Sequence, residues 1–434
     1  MLKRPLALAA VNLVVLALLL ELAGLAVYYW QHGWLFYATP YRQQYAAIDQ
    51  ARGDQLTLAG LHPYFGPTHR PGIPFDIPEH LRRSPDVPRH LTNNFGFVSP
   101  YDYPVTRSRA SQFFVGIFGG SVANWFCEVG APRLLEELAR QPALAGRELV
   151  PICLAHEGYK QPQQVLLLAY FLSLGQPFDL VVSIDGFNEV ALGHLNDQRG
   201  WDVSMPSVMH LDPLLNVINA ATLTPDKLET LADISRRRRS LDRWAEWING
   251  TPVASVYVAA EAYYGWARAR YQEQLVAFQQ LPSQAPDQSV LHVTPPVRPR
   301  TGDGQYVDAA RLWAASAVLM HDLLRARGVP FIGILQPNQY ATSRRFSAEE
   351  AAVALSEQSP FREGAMRGYP ALKAALAETR RNRPDVRLVD GTGIFDSLPN
   401  AAYMDNCCHY TLAGNDALAA VIAREVRALP APDR

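Results

Sequence analysis

The sequence predicts an α/β fold built on a parallel β-sheet, and three observations carry that expectation. Apolar runs of strand length alternate with helical stretches through most of the chain, the pattern that joins parallel strands through helical crossovers. Two of those runs stop at glycine, Phe113-Phe114-Val115-Gly116-Ile117-Phe118-Gly119-Gly120-Ser121 and Val181-Val182-Ser183-Ile184-Asp185-Gly186-Phe187-Asn188-Glu189. A third polar segment, Asp405-Asn406-Cys407-Cys408-His409, stands just before a final helix. Open α/β folds place their chemistry at the carboxyl ends of strands, which is where such turns fall.

The chain has 434 residues and a net charge of −1, too long for one ordinary domain, so a core with additions is expected. Charges of both signs are dispersed, and no concentrated basic face points to nucleic acid. Arg236 to Arg239 form the one basic run, read here as a solvated helix face.

In chain order, Lys3 and Arg4 lie in a short stub at 1–4, followed by an apolar stretch at 5–30 whose one charge is Glu21. About 26 helical residues at about 1.5 Å each span about 39 Å, enough to cross a bilayer core of about 30 Å. Positive charges ahead of the span place the N-terminus in the cytoplasm and the body outside, in a bacterial periplasm. Gly24-Leu25-Ala26 offers the alternative of a cleaved signal peptide. The length of the stretch and the interfacial cluster Tyr28-Tyr29-Trp30 favour an anchor.

Residues 31–110 are rich in Pro, Gly, Tyr and His and read as an extended lead-in. The core occupies 111–190 and 328–434, with strands at 113–119, 148–154, 179–185, 330–336 and 386–390. Helices are expected near 124–140, 162–175, 304–327, 363–380 and 412–428. Gln161-Pro162 opens one of them, since proline is tolerated in a first turn. Between the third and fourth strands lies an insertion, 191–327, with two helices at 224–249 and 251–281 and a proline-rich stretch from Leu281 to Arg300. Leaving from the end of the Asn188 strand, it is a candidate lid; a structural helical hairpin is the plainer reading.

Ser121, Gly158, Asn188 and His409, at strand ends and in that order, resemble the blocks of the SGNH (GDSL-type) hydrolase superfamily. The likeness covers roughly 110–190 and 328–428. It implies a three-layer α/β/α domain, flavodoxin-like, that hydrolyses or transfers acyl esters. Asn-x-x-Gly-Phe lead-ins such as Asn93 to Phe97 precede the first block in some anchored proteins of this kind.

By that resemblance Ser121 is the nucleophile and His409 its base. Backbone N–H groups of Ser121 and Gly158 and the amide of Asn188 form the oxyanion hole, the donors acyl transfer needs. The family carries its acid three residues before the histidine, where this chain has Asn406; Asp405 is one residue further back. Either the loop holds one extra residue and Asp405 orients His409, the favoured reading, or Asn406 weakens the base. Plainer roles remain for each: Gly158 as a turn, Asn188 as a helix cap, His409 as a capping residue, Glu189 as structure.

Other sites fit worse. The glycines after 116 do not spell a dinucleotide fingerprint and no phosphate-loop lysine follows. Ala123 stands where an α/β-hydrolase elbow needs glycine. Adjacent Cys407 and Cys408 lack zinc-site spacing, so neither a metal nor another cofactor is expected.

These readings converge on an anchored serine esterase, with an O-acetyl group on an envelope or exported polysaccharide as the expected substrate. An O-acetyltransferase using the same residues is one alternative. An inactive glycan-binding or scaffold protein is the other. Export permits a disulfide. If Ser121 and His409 meet, Cys127 comes near the cysteine pair, favouring Cys127–Cys408 over Cys127–Cys407 and leaving Cys153 a buried thiol. Four reduced cysteines are the alternative.

Overall fold

The computed structural model describes residues 3–33, 35–38, 59–73, 75, 77–83, 91–211, 225–280, 294–296 and 300–429. The start of the N-terminal stub, much of the lead-in and most of the proline-rich stretch at 281–300 lie outside them. Along the chain, α1 (Lys3–His32) precedes the antiparallel hairpin of β1 (Ala59–His62) and β2 (Gly66–His69). The core opens with β3 (Gln112–Gly119), α2 (Ser121–Val129), α3 (Ala131–Ala139), β4 (Glu148–Ala155), α4 (Gln163–Ser173), β5 (Leu180–Asp185) and α5 (Phe187–Gln198). Two long helices follow, α6 (Pro225–Asn249) and α7 (Ala254–Gln280). The chain closes with α8 (Gly304–Arg325), β6 (Phe331–Leu335), α9 (Ala348–Ala354), α10 (Arg362–Asn382), β7 (Arg387–Asp390) and α11 (Leu412–Arg427).

The chain divides into two compact units. The larger, Ala59–Leu215 with Leu291–Arg434, holds a five-stranded sheet ordered β4-β3-β5-β6-β7, every pairing parallel. Counted along the core this is 2-1-3-4-5, the flavodoxin-like doubly wound order. Helices α2, α3 and α11 pack together, as do α4, α5, α8 and α10, giving three layers. Every residue of β5 is buried, as a strand covered on both faces requires. Because the chain lays β4 on one side of β3 and β5 on the other, the direction reverses at β3. The crevice at its carboxyl end is the topological switch point, and β3 delivers Ser121 there.

The smaller unit, Met1–Leu58 with Asn216–Val290, packs α1 against α7 and α7 against α6. Its core joins Tyr28 and Phe36 to Ile234, Leu241, Ile248 and Tyr257. One N-terminal helical stretch, Leu8–His32, is long and apolar enough to span a membrane. Glu21, the charge inside it, accepts the backbone N–H groups of Ala254 (2.8 Å) and Ser255 (3.0 Å), the Ser255 hydroxyl and the Tyr37 hydroxyl. It therefore caps the first turn of α7, where carboxylates are favoured. Arg236 and Arg237 pair with Asp233 on an exposed face of α6.

Two expectations about elements change. The helix expected at 124–140 starts at Ser121 itself and is broken into α2 and α3 at Gly130. Pro132, in the first turn of α3, has no N–H to continue the ladder. The cysteine pairing also differs: Cys127 is bonded to Cys153, while Cys407 and Cys408 are free. Six residues at about 100° each turn Cys127 roughly 240° around α2 from Ser121, toward β4 and away from the His409 loop. Cys153 is thus half of the disulfide, and Cys408, expected as the partner of Cys127, is a buried thiol.

Candidate active site

Ser121 is the first residue of α2, directly after Gly119 and Gly120 at the end of β3. Its N–H has no carbonyl within the helix to bond, so it remains a donor at a positive helix end. A methyl group on Gly120 would lie 2.1 Å from Asn188 Nδ2 and 3.0 Å from the Tyr159 carbonyl. Only glycine lets the Ser121 turn, the 158–159 turn and the Asn188 side chain meet so closely. Asn188 Nδ2 donates to the Tyr159 carbonyl at 2.7 Å, and a primary amide has a second hydrogen to offer. The segments that carry the three expected oxyanion donors thus meet at Gly120.

Gly158 has φ +75, and a methyl group there would lie 2.3 Å from His210 Nδ1. The left-handed backbone and the packed His210 ring both demand glycine. Glu189 takes the N–H groups of Gly186 and Gln161, each at 2.7 Å. It ties the start of α5, which bears Asn188, to the segment following Gly158. That is a structural role, as expected.

His409 Nε2 lies 2.8 Å from Ser121 Oγ, and its Nδ1 meets Asp405 Oδ2. A carboxylate only accepts, so Nδ1 carries the proton and Nε2 presents its lone pair to the serine hydroxyl. The other oxygen, Asp405 Oδ1, accepts the N–H groups of Cys407 (2.9 Å), Cys408 (3.0 Å) and His409 (3.3 Å). Burial works against ionisation of Asp405, but the His409 contact and these N–H groups outweigh it and hold its carboxyl below the ordinary value. Asn406 is held through its backbone: its main-chain carbonyl accepts from the Tyr340 and Ser359 hydroxyls, both at 2.8 Å. The structure therefore places Asp405, four residues before the histidine, beside its ring.

The loop is shaped by residues that sequence reading missed. Tyr403 and Tyr410 pair across its neck, and Met404 N–H bonds the His409 carbonyl. From the segment after β6, Asn338 donates to the Cys407 carbonyl and Gln339 to that of Asp405. Tyr410 donates to the Pro337 carbonyl at 2.6 Å. Trp125, one turn after Ser121, sets its ring 5.8 Å from that of His409 and 5.9 Å from Phe75. Cys408 Sγ is 4.0 Å from Ser121 Oγ. Burial, then the Cys407 thiol, raises its pKa well above the ordinary thiol value, so it is a neutral neighbour and no rival nucleophile.

Among the described residues three clusters gather metal-binding atoms: Cys407, Cys408 and His409; His321, Asp322 and Asp385; and His69, His156 and Glu157. In the first, both ring nitrogens of His409 are already engaged. In the second, both carboxylates bond the Arg383 guanidinium, which supplies the charge a cation would bring. The third, in the larger unit, has no such partner.

No protein-family model and no curated protein sequence matches this chain. Among solved structures it is similar to the lipase/acylhydrolase from Enterococcus faecalis, at 13% identity and a TM-score of 0.33. The match covers 74% of this chain and 99% of that one. Fold and site by themselves define a doubly wound α/β domain with a Ser–His–Asp constellation at the carboxyl edge of its sheet.

Proposed function

We propose that this protein is a membrane-anchored serine esterase of the SGNH type that cleaves acyl esters outside the cytoplasm. The observation that carries the reading is the relay Asp405–His409–Ser121, with His409 Nε2 2.8 Å from the serine oxygen. His409 takes the Ser121 proton as Oγ attacks the ester carbonyl, and Asp405 stabilises the imidazolium that forms. The oxyanion is received by the N–H groups of Ser121 and Gly158 and by the Asn188 amide. His409 then protonates the departing alcohol, leaving an acyl-serine. Water as the next acceptor makes the protein a hydrolase; a sugar hydroxyl makes it an O-acetyltransferase. An acetylated envelope or exported polysaccharide fits an anchored enzyme with this site.

The test is labelling with a fluorophosphonate probe, with the adduct located by mass spectrometry. The expected result is modification at Ser121, and loss of both labelling and aryl-acetate hydrolysis in Ser121→Ala. Activity that survives in the variant removes the nucleophile from Ser121.

A further inference from the structure

We infer that His69, His156 and Glu157 bind a divalent cation of the zinc class, next to the oxyanion turn. His69 ends β2 of the lead-in hairpin, while His156 and Glu157 follow β4 and precede Gly158. Nothing in their spacing announces a site, because the two histidines are joined only by the fold.

One donor atom from each of the three residues lies within 4.8 Å of the other two. His69 Nε2 approaches Glu157 Oε2 to 3.0 Å, yet the two are not aligned as a hydrogen bond. His156 is 4% exposed, and its Nε2 has no partner among the described residues. Buried nitrogen and oxygen atoms left unpaired in this way cost about 1–3 kcal/mol each. A cation held by one donor atom of each residue would give such unpaired atoms a partner.

The surroundings match those of a ligand set. His156 Nδ1 lies 2.9 Å from the Glu157 carbonyl. Donating there fixes the tautomer in which Nε2 keeps its lone pair. Glu157 Oε1 accepts from Asn124 Nδ2 at 2.8 Å, which orients the carboxylate and leaves Oε2 for the ion. Two neutral imidazoles and one carboxylate are the donors that suit Zn²⁺, with a fourth position for water or a substrate oxygen. Asn124 lies one turn after Ser121 on α2, and Glu157 directly precedes Gly158. The ion would therefore clamp the lead-in hairpin to the turns that present the oxyanion donors. The inference does not depend on the esterase reading.

The full-length protein in detergent, stripped with a chelator, is titrated with Zn²⁺ alone by calorimetry and with Co²⁺ followed by visible absorption. The expected result is one ion per chain and cobalt d–d bands without a thiolate charge-transfer band. His69→Gln and His156→Gln should each weaken binding by more than the about 10–100-fold that loss of an outer-shell partner costs. The double variant Cys407→Ser/Cys408→Ser should bind as before. The wild-type cobalt spectrum reads the ligand set even if His156→Gln does not fold. Absence of stoichiometric binding means that a trapped water fills the cluster, and overturns the inference. So do a thiolate band, or binding that survives His69→Gln.

Discussion

Arg344 and Glu350 form a buried ion pair whose outer hydrogen bonds end on the chain leading to Asp405 and His409. Glu350 receives Arg344 Nη2 at 2.8 Å and also takes the N–H groups of Ala402 and Tyr403. Arg344 reaches the carbonyls of Leu398 and Asn400, each at 2.7 Å. The pair, with side chains 4% and 1% exposed, acts as the internal brace of the histidine loop. Removing one member strands a buried charge and two backbone donors. Glu350→Ala should cost about 3–5 kcal/mol by denaturant unfolding. Replacing both members with Met and Leu should cost clearly less, and equal losses would show that the pair is not coupled.

Asp405→Asn should lower kcat by a factor on the order of 10³–10⁴, while Asn406→Ala should leave it within a few-fold. An asparagine at 405 still accepts the three loop N–H groups, so the comparison isolates the carboxylate's hold on the imidazole. Aryl-acetate kinetics decide it, and the reverse ranking would move the acid away from Asp405.

Asp405 also predicts an acid dependence of stability. Its folded pKa is depressed below the unfolded value of about 3.9, so the folded state binds this proton less readily than the unfolded chain. The contribution is complete above about pH 4 and is lost as pH falls through the folded value. Unfolding free energies below pH 4 should fall less steeply in Asp405→Asn than in wild type.

The Cys127–Cys153 bond closes a separation of 26 residues, worth about 3.5 kcal/mol in the chain-entropy view. The double serine variant should lose about that much. Alkylation without reductant should modify Cys407 readily and Cys408 only after unfolding. Modification of Cys127 without reductant contradicts the pairing.

The core strands were legible because most are apolar runs bounded by turn residues, and β3 and β5 announced their ends with glycine. Ser121 and Asn188 could be read because they follow those ends, and His409 because its polar loop stands just before the final helix. The break at Gly130 was signalled by Pro132, and the disulfide by the angular position of Cys127 on a helix that begins at Ser121. Both follow from helix geometry once the start is known, but the start was read three residues late. Arg344, Glu350, Asn338 and Gln339 gave no sequence sign, because a buried ion pair and loop-directed amides are defined by what the fold brings to them. The same holds for His69 and His156, which lie on separate strand ends.

In the proposed anchor, the Glu21 contact with the start of α7 divides α1 into two halves. A carboxylate holding the first turn of α7 and the Tyr37 hydroxyl belongs with protein and water, so the hydrocarbon can rise along α1 no further than Leu20. Pro5 to Leu20 supplies about 24 Å of helix, slightly less than a typical core of about 30 Å, a mismatch that a bilayer meets by thinning. Above that level, Glu21 to His32 continues for about 18 Å with Tyr28 fully buried and His32 paired with Glu261. In the proposed anchor the helix before Glu21 is solvated by lipid, while the same helix after Glu21 is a stalk that carries α7.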